Sequence, residues 1–327
     1  MTETMSAWVQ GGYGPAAGVL RAERSVPEPG SGEVLLRVHA AALNSGDVRI
    51  MLGDPLVVRP VFGLRRPRNP VRGMDVAGTV VALGPDADTV SVGDDVVVEL
   101  PGGGGLAEYA VAPSSRLAVR PASVSPSDAA TLPIAAGTAW QALDAARVGG
   151  GQRVLVLGAS GGVGTFTVQL ATLRGAEVDA TCSARNRAVV EALGAAVIDR
   201  DAALAELPAG GYDAVIEIAS GAPLRRLRRL VREGGTVVLV GGDGGRVFGP
   251  LPRMLRAALL SIGSRRRIRS LAAKTRSEML TRLLALVAAG RLHPVIEREY
   301  TFADAGAALA HVEAGHTVGK VVVRVAE

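Results

Sequence analysis

The stretch Leu157 to Gly164 reads LGASGGVG and follows without a break on the apolar run Arg153-Val154-Leu155-Val156. Four glycines among the seven residues Gly158 to Gly164 are costly in any regular element, because glycine loses the most backbone freedom on folding. Something must need that bare backbone. A glycine-rich turn between a buried strand and a helix offers free amides, and the positive end of the helix dipole, to a pyrophosphate. Gly158, Gly161 and Gly164 then serve the tight turn, the close approach of a ligand and the packing of the helix, with Ser160, Gly162 and Val163 completing the cradle. The spacing is Gly-x-x-Gly-x-x-Gly, and its context makes it specific. A strand before, a helix after and a second strand about 20 residues on match the setting of a dinucleotide.

The tip of that second strand, Glu177 to Thr181, decides between two nicotinamides. An NAD site carries an acidic side chain there for the ribose hydroxyls, but this chain offers Cys182, Ser183, Ala184 and Arg185. Asp179 lies inside the strand. Ser183, Arg185 and Arg187 can donate to a 2′-phosphate, which suits the forked guanidinium, so the expected cofactor is NADPH. Arg187 can equally stay solvated on its helix. Cys182 reads as a small buried residue.

Outward from the cradle the pattern repeats. Arg153 to Leu157, Glu177 to Thr181, Ala196 to Ile198, Ala214 to Ile218 and Thr236 to Gly241 are apolar strands. They alternate with helical stretches at Thr165 to Arg174, Arg187 to Leu193 and Pro223 to Val231. Near-continuous apolar strands between helices mean a parallel sheet covered on both faces. Residues 125–265 therefore read as a doubly wound α/β domain, opening with a helix that starts at Ser125 or Ser127. Residues 1–124 read as a mainly β unit, with strands at Val34 to Ala42, Val76 to Leu83 and Asp95 to Leu100 and no long helical pattern. Pro101 to Gly105, PGGGG, reads as a loop. Residues 266–327 carry a linking helix at Lys274 to Ala289, with Leu280, Leu283, Leu284 and Val287 on one stripe. A helix at Ala303 to Glu313 follows, and the last strand, Lys320 to Val325, is expected to rejoin the β unit.

The chain's 327 residues exceed the roughly 250 to 300 at which single cores stop growing, in keeping with two domains. Its apolar runs fall far short of the ~18 residues a membrane helix needs. No basic stretch followed by an apolar one marks a secretory signal, so the expected location is the cytoplasm, with no membrane partner. Arginine clusters at Arg65 to Arg68, Arg225 to Arg232 and Arg265 to Arg269 lie in separate segments, and aromatic residues make up only 3%. Nucleic acid is therefore not an expected partner. One cysteine and four histidines, His39, His293, His311 and His316, exclude a Cys-cluster zinc site, and no metal is expected.

The motifs that carry a family likeness are Leu43-Asn44-Ser45-Gly46-Asp47, RGMDVAGTVVALG at Arg72 to Gly84, VGDDV at Val92 to Val96 and GLAEYAV at Gly105 to Val111. They continue with LPIAAGTAWQAL at Leu132 to Leu143, GASGGVG, LGAAVIDR at Leu193 to Arg200, and HPVIEREYTFADAGAALAHVEAGHTVGKVVV from His293. Together they resemble the medium-chain dehydrogenase/reductase superfamily, in its zinc-independent quinone oxidoreductase branch, over essentially the full length. The resemblance implies a GroES-like catalytic domain built from both chain ends and a Rossmann domain between them, with the nicotinamide facing the substrate in a cleft. It also implies NADPH, a homodimer, and a quinone or α,β-unsaturated carbonyl as the small-molecule substrate. Zinc-dependent relatives place a Cys and a His where this chain has Asn44-Ser45-Gly46-Asp47 and Gly73-Met74-Asp75. Relatives often have an aromatic residue just after the position of Asp47, where Val48 and Arg49 stand here. They commonly have Tyr at the position of Arg200, beside the adenosine phosphate, where an arginine strengthens the grip.

Hydride transfer to an enone's β-carbon pushes negative charge onto the carbonyl oxygen, and without a metal, donors aimed at that oxygen must stabilise it. Asn44 and Ser45, on the loop that the resemblance places at the cleft, are the candidates, with the Asn44 amide first. Asn44 can also simply cap a turn. Asp47, Asp75 and Glu108 read mainly as carboxylates that hold loops, Asp47 being kept in the catalytic set. Thr138 resembles the residue that approaches the nicotinamide. Gly241 and Gly242, after Val237 to Val240, let the backbone come close to the same ring. The histidines read as structural. Two other readings stay open: reduction of an aldehyde, imine or reactive biosynthetic intermediate, with or without cyclisation, and a protein that binds NADPH without turnover.

Overall fold

The two chain ends fold together and the middle folds by itself. The computed structural model describes residues 3–199, 207–241 and 244–326. The chain divides into one unit of Met1–Gly137 with Thr275–Glu327 and another of Thr138–Lys274.

In the first unit β1 (Thr4–Gln10) pairs antiparallel with β2 (Val19–Ser25). The main sheet begins with β3 (Glu33–Leu43), β4 (Asp75–Leu83), β5 (Asp95–Glu99), β6 (Tyr109–Pro113) and β7 (Ala118–Val119). Strand β3 alternates at first, with Val34, Leu36 and Val38 turned into the core, and is then fully buried from Ala40 to Leu43. Such a switch marks a strand that passes from the rim of a sheet into its middle.

The second unit holds β8 (Arg153–Leu157), β9 (Glu177–Cys182), β10 (Ala196–Asp199), β11 (Tyr212–Glu217), β12 (Val231–Leu239) and β13 (Arg267–Ser270). They lie in the order β10-β9-β8-β11-β12-β13, and every neighbouring pair is parallel. The order reverses between β8 and β11, the switch point at which doubly wound sheets take their ligands. Leu155, Leu157, Val215, Val237 and Leu239 form its core with Leu224, Leu227 and Leu230 of helix Leu224–Leu230.

The chain then returns to the first unit through helix Ser277–Ala288, β14 (Ile296–Thr301), helix Ala305–Glu313 and β15 (Lys320–Arg324). As expected, β15 rejoins the main sheet, antiparallel to β3, with Val321 opposite Leu43 and Val323 opposite Ala41. On the other side of β3, Ala42 faces Asp75 of β4. The α/β architecture read from the sequence is therefore present, with a parallel Rossmann sheet and a mainly β GroES-like unit.

Three local readings need correction. Asn44 to Asp47 is not a loop: it opens helix Ser45–Leu52, and Arg59–Phe62 adds a further turn. Eight residues give barely two turns of periodic signal, and Gly46 in the first turn disguises them. Residues 125–137 go with the first unit, because helix Pro126–Ala130 packs on β3 and β4. Helix Leu251–Ser261 and β13 complete the second unit, where no element had been expected.

Candidate active site

The cradle is built as the glycine spacing requires. Gly158 leaves β8 with φ +89°, a left-handed conformation, and a Cβ there would press on the Ala219 backbone at 3.1 Å. Ala159 N donates to Thr181 O at 3.0 Å, which ties the turn to β9. Gly161 is the extended N-cap of helix Gly162–Leu173. A Cβ at Gly164 would lie 2.3 Å from Gly158 O and 2.6 Å from Ala159 O, so the first helical turn rests directly on the preceding loop. At Gly161, by contrast, a Cβ would meet protein only at 3.9 Å. No contact among the described residues demands glycine there, and the space in front of it is open. The first-turn amides of Gly162, Val163 and Gly164 have no carbonyl partner inside the helix and face the positive end of its dipole. Ser160 Oγ accepts from Asn186 Nδ2 at 3.0 Å, which joins the turn to the segment after β9.

That segment carries the phosphate candidates. Ser183 directly follows β9, and its Oγ is buried with no hydrogen-bond partner among the described residues. A buried hydroxyl left unsatisfied in the protein is costly, so this atom fits a ligand oxygen. Arg185 is exposed beside it, and the segment Cys182 to Arg185 carries no carboxylate of its own. Arg187 is engaged instead with Glu191, Nη1 to Oε1 3.1 Å, and donates to Val197 O at 3.2 Å. Asp179 is occupied within the strand by Arg153 at 2.7 Å and by the Tyr212 hydroxyl at 2.8 Å. Cys182 is buried, and burial raises its thiol above the usual range, so it is not a reactive thiolate. Gly241 is needed for close packing, since a Cβ would strike Ile218 O at 1.8 Å. Thr138 is the half-buried second residue of helix Gly137–Ala146. Arg200 and Gly242 lie outside the described residues.

The first unit gathers a second set. The register of β3 with β4 and β15 brings Asn44, Asp75 and Lys320 to one place. Lys320 Nζ donates to Asn44 Oδ1 at 2.5 Å and lies 3.8 Å from Asp75 Oδ2. Asn44 Nδ2 donates to Asp75 Oδ2 at 2.9 Å. The Asp47 carboxylate accepts from Asn44 N at 2.8 Å, while Asp47 N donates to Asn44 O at 3.0 Å. These four side chains are buried, and so is that of Arg72. Burial, the largest cause for each, pushes Asp47 up and Asp75 up to about 8, and pulls Lys320 and Arg72 down. Mutual attraction opposes every one of these shifts. Asp75 Oδ1 has no partner among the described residues.

This geometry changes the role expected of Asn44. Its amide is turned inward, with both ends occupied, so it is not a donor aimed at a substrate oxygen. Ser45, by contrast, is exposed at the start of the helix. Asp47 and Glu108 hold backbone, as read, the latter accepting from Ser6 N at 2.8 Å. Lys320 was missed. The available signal was its rarity, since Lys274 and Lys320 are the only lysines in the chain.

A model of the zinc-binding dehydrogenases matches residues 193–323, and one of the alcohol dehydrogenase GroES-like domain matches residues 30–122. A chloroplastic quinone-oxidoreductase of Triphysaria versicolor is 38% identical over 328 residues, covering 95% of this chain and 96% of that protein. A mitochondrial NAD(P)H oxidoreductase of Bos taurus is 32% identical over 363 residues, covering 98% and 89%. The solved quinone oxidoreductase from Coxiella burnetii superposes with a TM-score of 0.88 at 29% identity, over 99% of this chain and 100% of that one. The first of these names raises zinc, and the residues here do not fit it. Where ligands would stand, an ammonium bonded to Asn44 supplies the positive charge, and the neighbours are not the thiolate and imidazole set zinc takes. Among the described residues no group of three or more His, Cys, Asp or Glu side chains could hold a metal ion. No helix among them is long and apolar enough to cross a membrane.

Proposed function

The chain belongs to the medium-chain dehydrogenase/reductase superfamily, as an oxidoreductase of its quinone oxidoreductase-like branch. From that premise we propose that it uses NADPH to reduce a quinone or an α,β-unsaturated carbonyl. Its relatives imply a nicotinamide cofactor. The observation that favours the phosphorylated form is the buried Ser183 hydroxyl, unpartnered among the described residues, beside exposed Arg185 in a segment, Cys182 to Arg185, that carries no carboxylate.

Bound there, NADPH supplies a hydride. The amides of Gly162, Val163 and Gly164 hold the pyrophosphate, and Ser183 and Arg185 take the 2′-phosphate, with Arg200 a further proposed contact. Thr138, Gly241 and Gly242 are proposed neighbours of the nicotinamide. On the acceptor side, the Ser45 hydroxyl and the first-turn amides of Ser45 and Gly46 stabilise charge growing on the carbonyl oxygen. Asn44 and Asp47 hold that turn in place. A homodimer is also proposed. Its support is the exposed apolar series Phe248, Leu251, Leu255, Leu259 and Ile262 beside β13 at the open edge of the sheet, a combination that monomers seldom leave uncovered.

The test uses 4R- and 4S-deuterated NADPH with a panel of quinones and enones. Deuterium should appear on the enone β-carbon, or NADPH should be consumed one for one with quinone, and NADH should serve poorly. Binding of NADPH with no acceptor reduced would overturn the reading, and light scattering decides the oligomer.

A further inference from the structure

We propose that Lys320 is a positioning residue for the acceptor side of the reaction: it acts through Asn44, fixing the side chain from which the first turn of helix Ser45–Leu52 starts. The catalytic part of this rests on the function proposed above; the structural part does not.

An asparagine amide can sit in either of two orientations that differ by exchange of its oxygen and nitrogen. Here the choice is forced from both sides. Lys320 Nζ meets Asn44 Oδ1 at 2.5 Å, while Asp75 Oδ2 accepts from Nδ2 at 2.9 Å. The reversed amide would set its NH2 group against an ammonium and its oxygen against a carboxyl. Locked in this way, Asn44 leaves its backbone N to the Asp47 carboxylate and its carbonyl to Asp47 N and, at 3.4 Å, Val48 N. Three strand ends are needed for the lock, since β3 carries Asn44 at its close, β4 opens with Asp75 and β15 opens with Lys320. The residue type fits the task. In a chain whose cations are otherwise almost all arginine, a lysine stands where one compact donor must reach one buried acceptor. The five donors of a guanidinium would outnumber the acceptors available there.

The competing role is that of a counter-ion, in which Lys320 merely balances Asp75. Two variants separate the roles. Lys320→Met removes the donor, and Lys320→Met with Asp75→Asn leaves the pair neutral. Each is measured for melting temperature, hydrogen exchange of the amides in residues 45–52, NADPH affinity, and kcat and KM with a quinone. A positioning residue predicts at least tenfold faster exchange in 45–52 for Lys320→Met. It also predicts a kcat at least tenfold lower, with NADPH affinity unchanged within twofold. The double variant then regains melting temperature but neither protection nor kcat. Exchange within twofold of the parent, or recovery of kcat together with melting temperature, overturns the proposal. If Lys320→Met does not fold, Lys320→Arg carries the test: it keeps the charge but not the single compact donor, so exchange in 45–52 should rise and kcat fall at least tenfold, and retained kcat refutes the role. A parent protein that reduces no acceptor sinks the function alone, because the exchange data still decide on Lys320.

Discussion

The cradle of the second unit and the charged cluster of the first are built by opposite means. The cradle is local, eight residues long, and acts with backbone: its glycines remove side chains so that amides can be reached. The cluster joins segments up to 276 residues apart and acts with side chains that touch one another rather than solvent. One site is made by leaving groups unsatisfied, the other by satisfying them almost completely. The two should therefore break differently, the cluster losing stability and the cradle losing affinity.

The largest effect belongs to the cluster. Asp75→Ala strands Lys320 and takes an acceptor from Asn44 Nδ2 and, at 3.3 Å, from Ile134 N. Leaving a buried donor without its acceptor costs about 1–3 kcal/mol, and two donors lose theirs here, so urea unfolding should show a loss of about 2–6 kcal/mol. A loss below about 1 kcal/mol would mean that the cluster is not a unit. Next in size, Gly164→Ala forces a methyl onto the Gly158 and Ala159 carbonyls, and NADPH affinity should fall at least 100-fold, about 2.7 kcal/mol. Gly161→Ala sharpens the contrast. It meets nothing closer than 3.9 Å in the protein, so stability should hold while NADPH binding weakens, and equal damage to both would contradict a ligand at that glycine.

Smaller still is the choice between arginines. Arg185→Ala should cost NADPH about tenfold, roughly 1.4 kcal/mol, and leave NADH nearly unchanged. Arg187, already held by Glu191 and Val197 O, should matter within twofold. Equal losses for the two coenzymes in Arg185→Ala, determined by calorimetry, would remove the 2′-phosphate assignment.

The same contrast explains what could be read in advance. Gly158 and Gly164 declare themselves because each answers a demand within a few residues, Gly161 by its spacing between them, and the strands β8, β9 and β11 because apolar runs repeat between helices. Ser45 and Asp47 were visible only through their motif, and their helix was not, being short and interrupted by Gly46. Lys320 looked like the start of a strand. Its partner Asn44 is set by the pairing of β15 with β3, and a register between distant strands leaves no mark in either segment. Helix Leu251–Ser261 was legible, since Leu251, Met254, Leu255 and Leu259 recur at helical spacing, and it was missed; that stripe is exposed rather than turned to the core.

The dependence of stability on pH distinguishes the cluster's chemistry from mere burial. An unfolded aspartate titrates near 3.9, and in the folded protein burial raises Asp75 to about 8 against the attraction of Lys320. Between those values the folded state keeps a proton that the unfolded chain has released. The associated stability is fully present below pH 4 and declines as pH rises toward 8. Asp47, also raised by burial, adds a decline of the same sign. His39, lowered by burial, works in reverse, costing stability as pH falls below about 6.5, but equally in any variant that keeps it. Stability measured from pH 5 to 8 should therefore decline less steeply in Asp75→Asn than in the parent. Parallel curves would show that Asp75 is ionised throughout that range, held as a carboxylate by Lys320, and the cluster would then be a true ion pair insulated from pH.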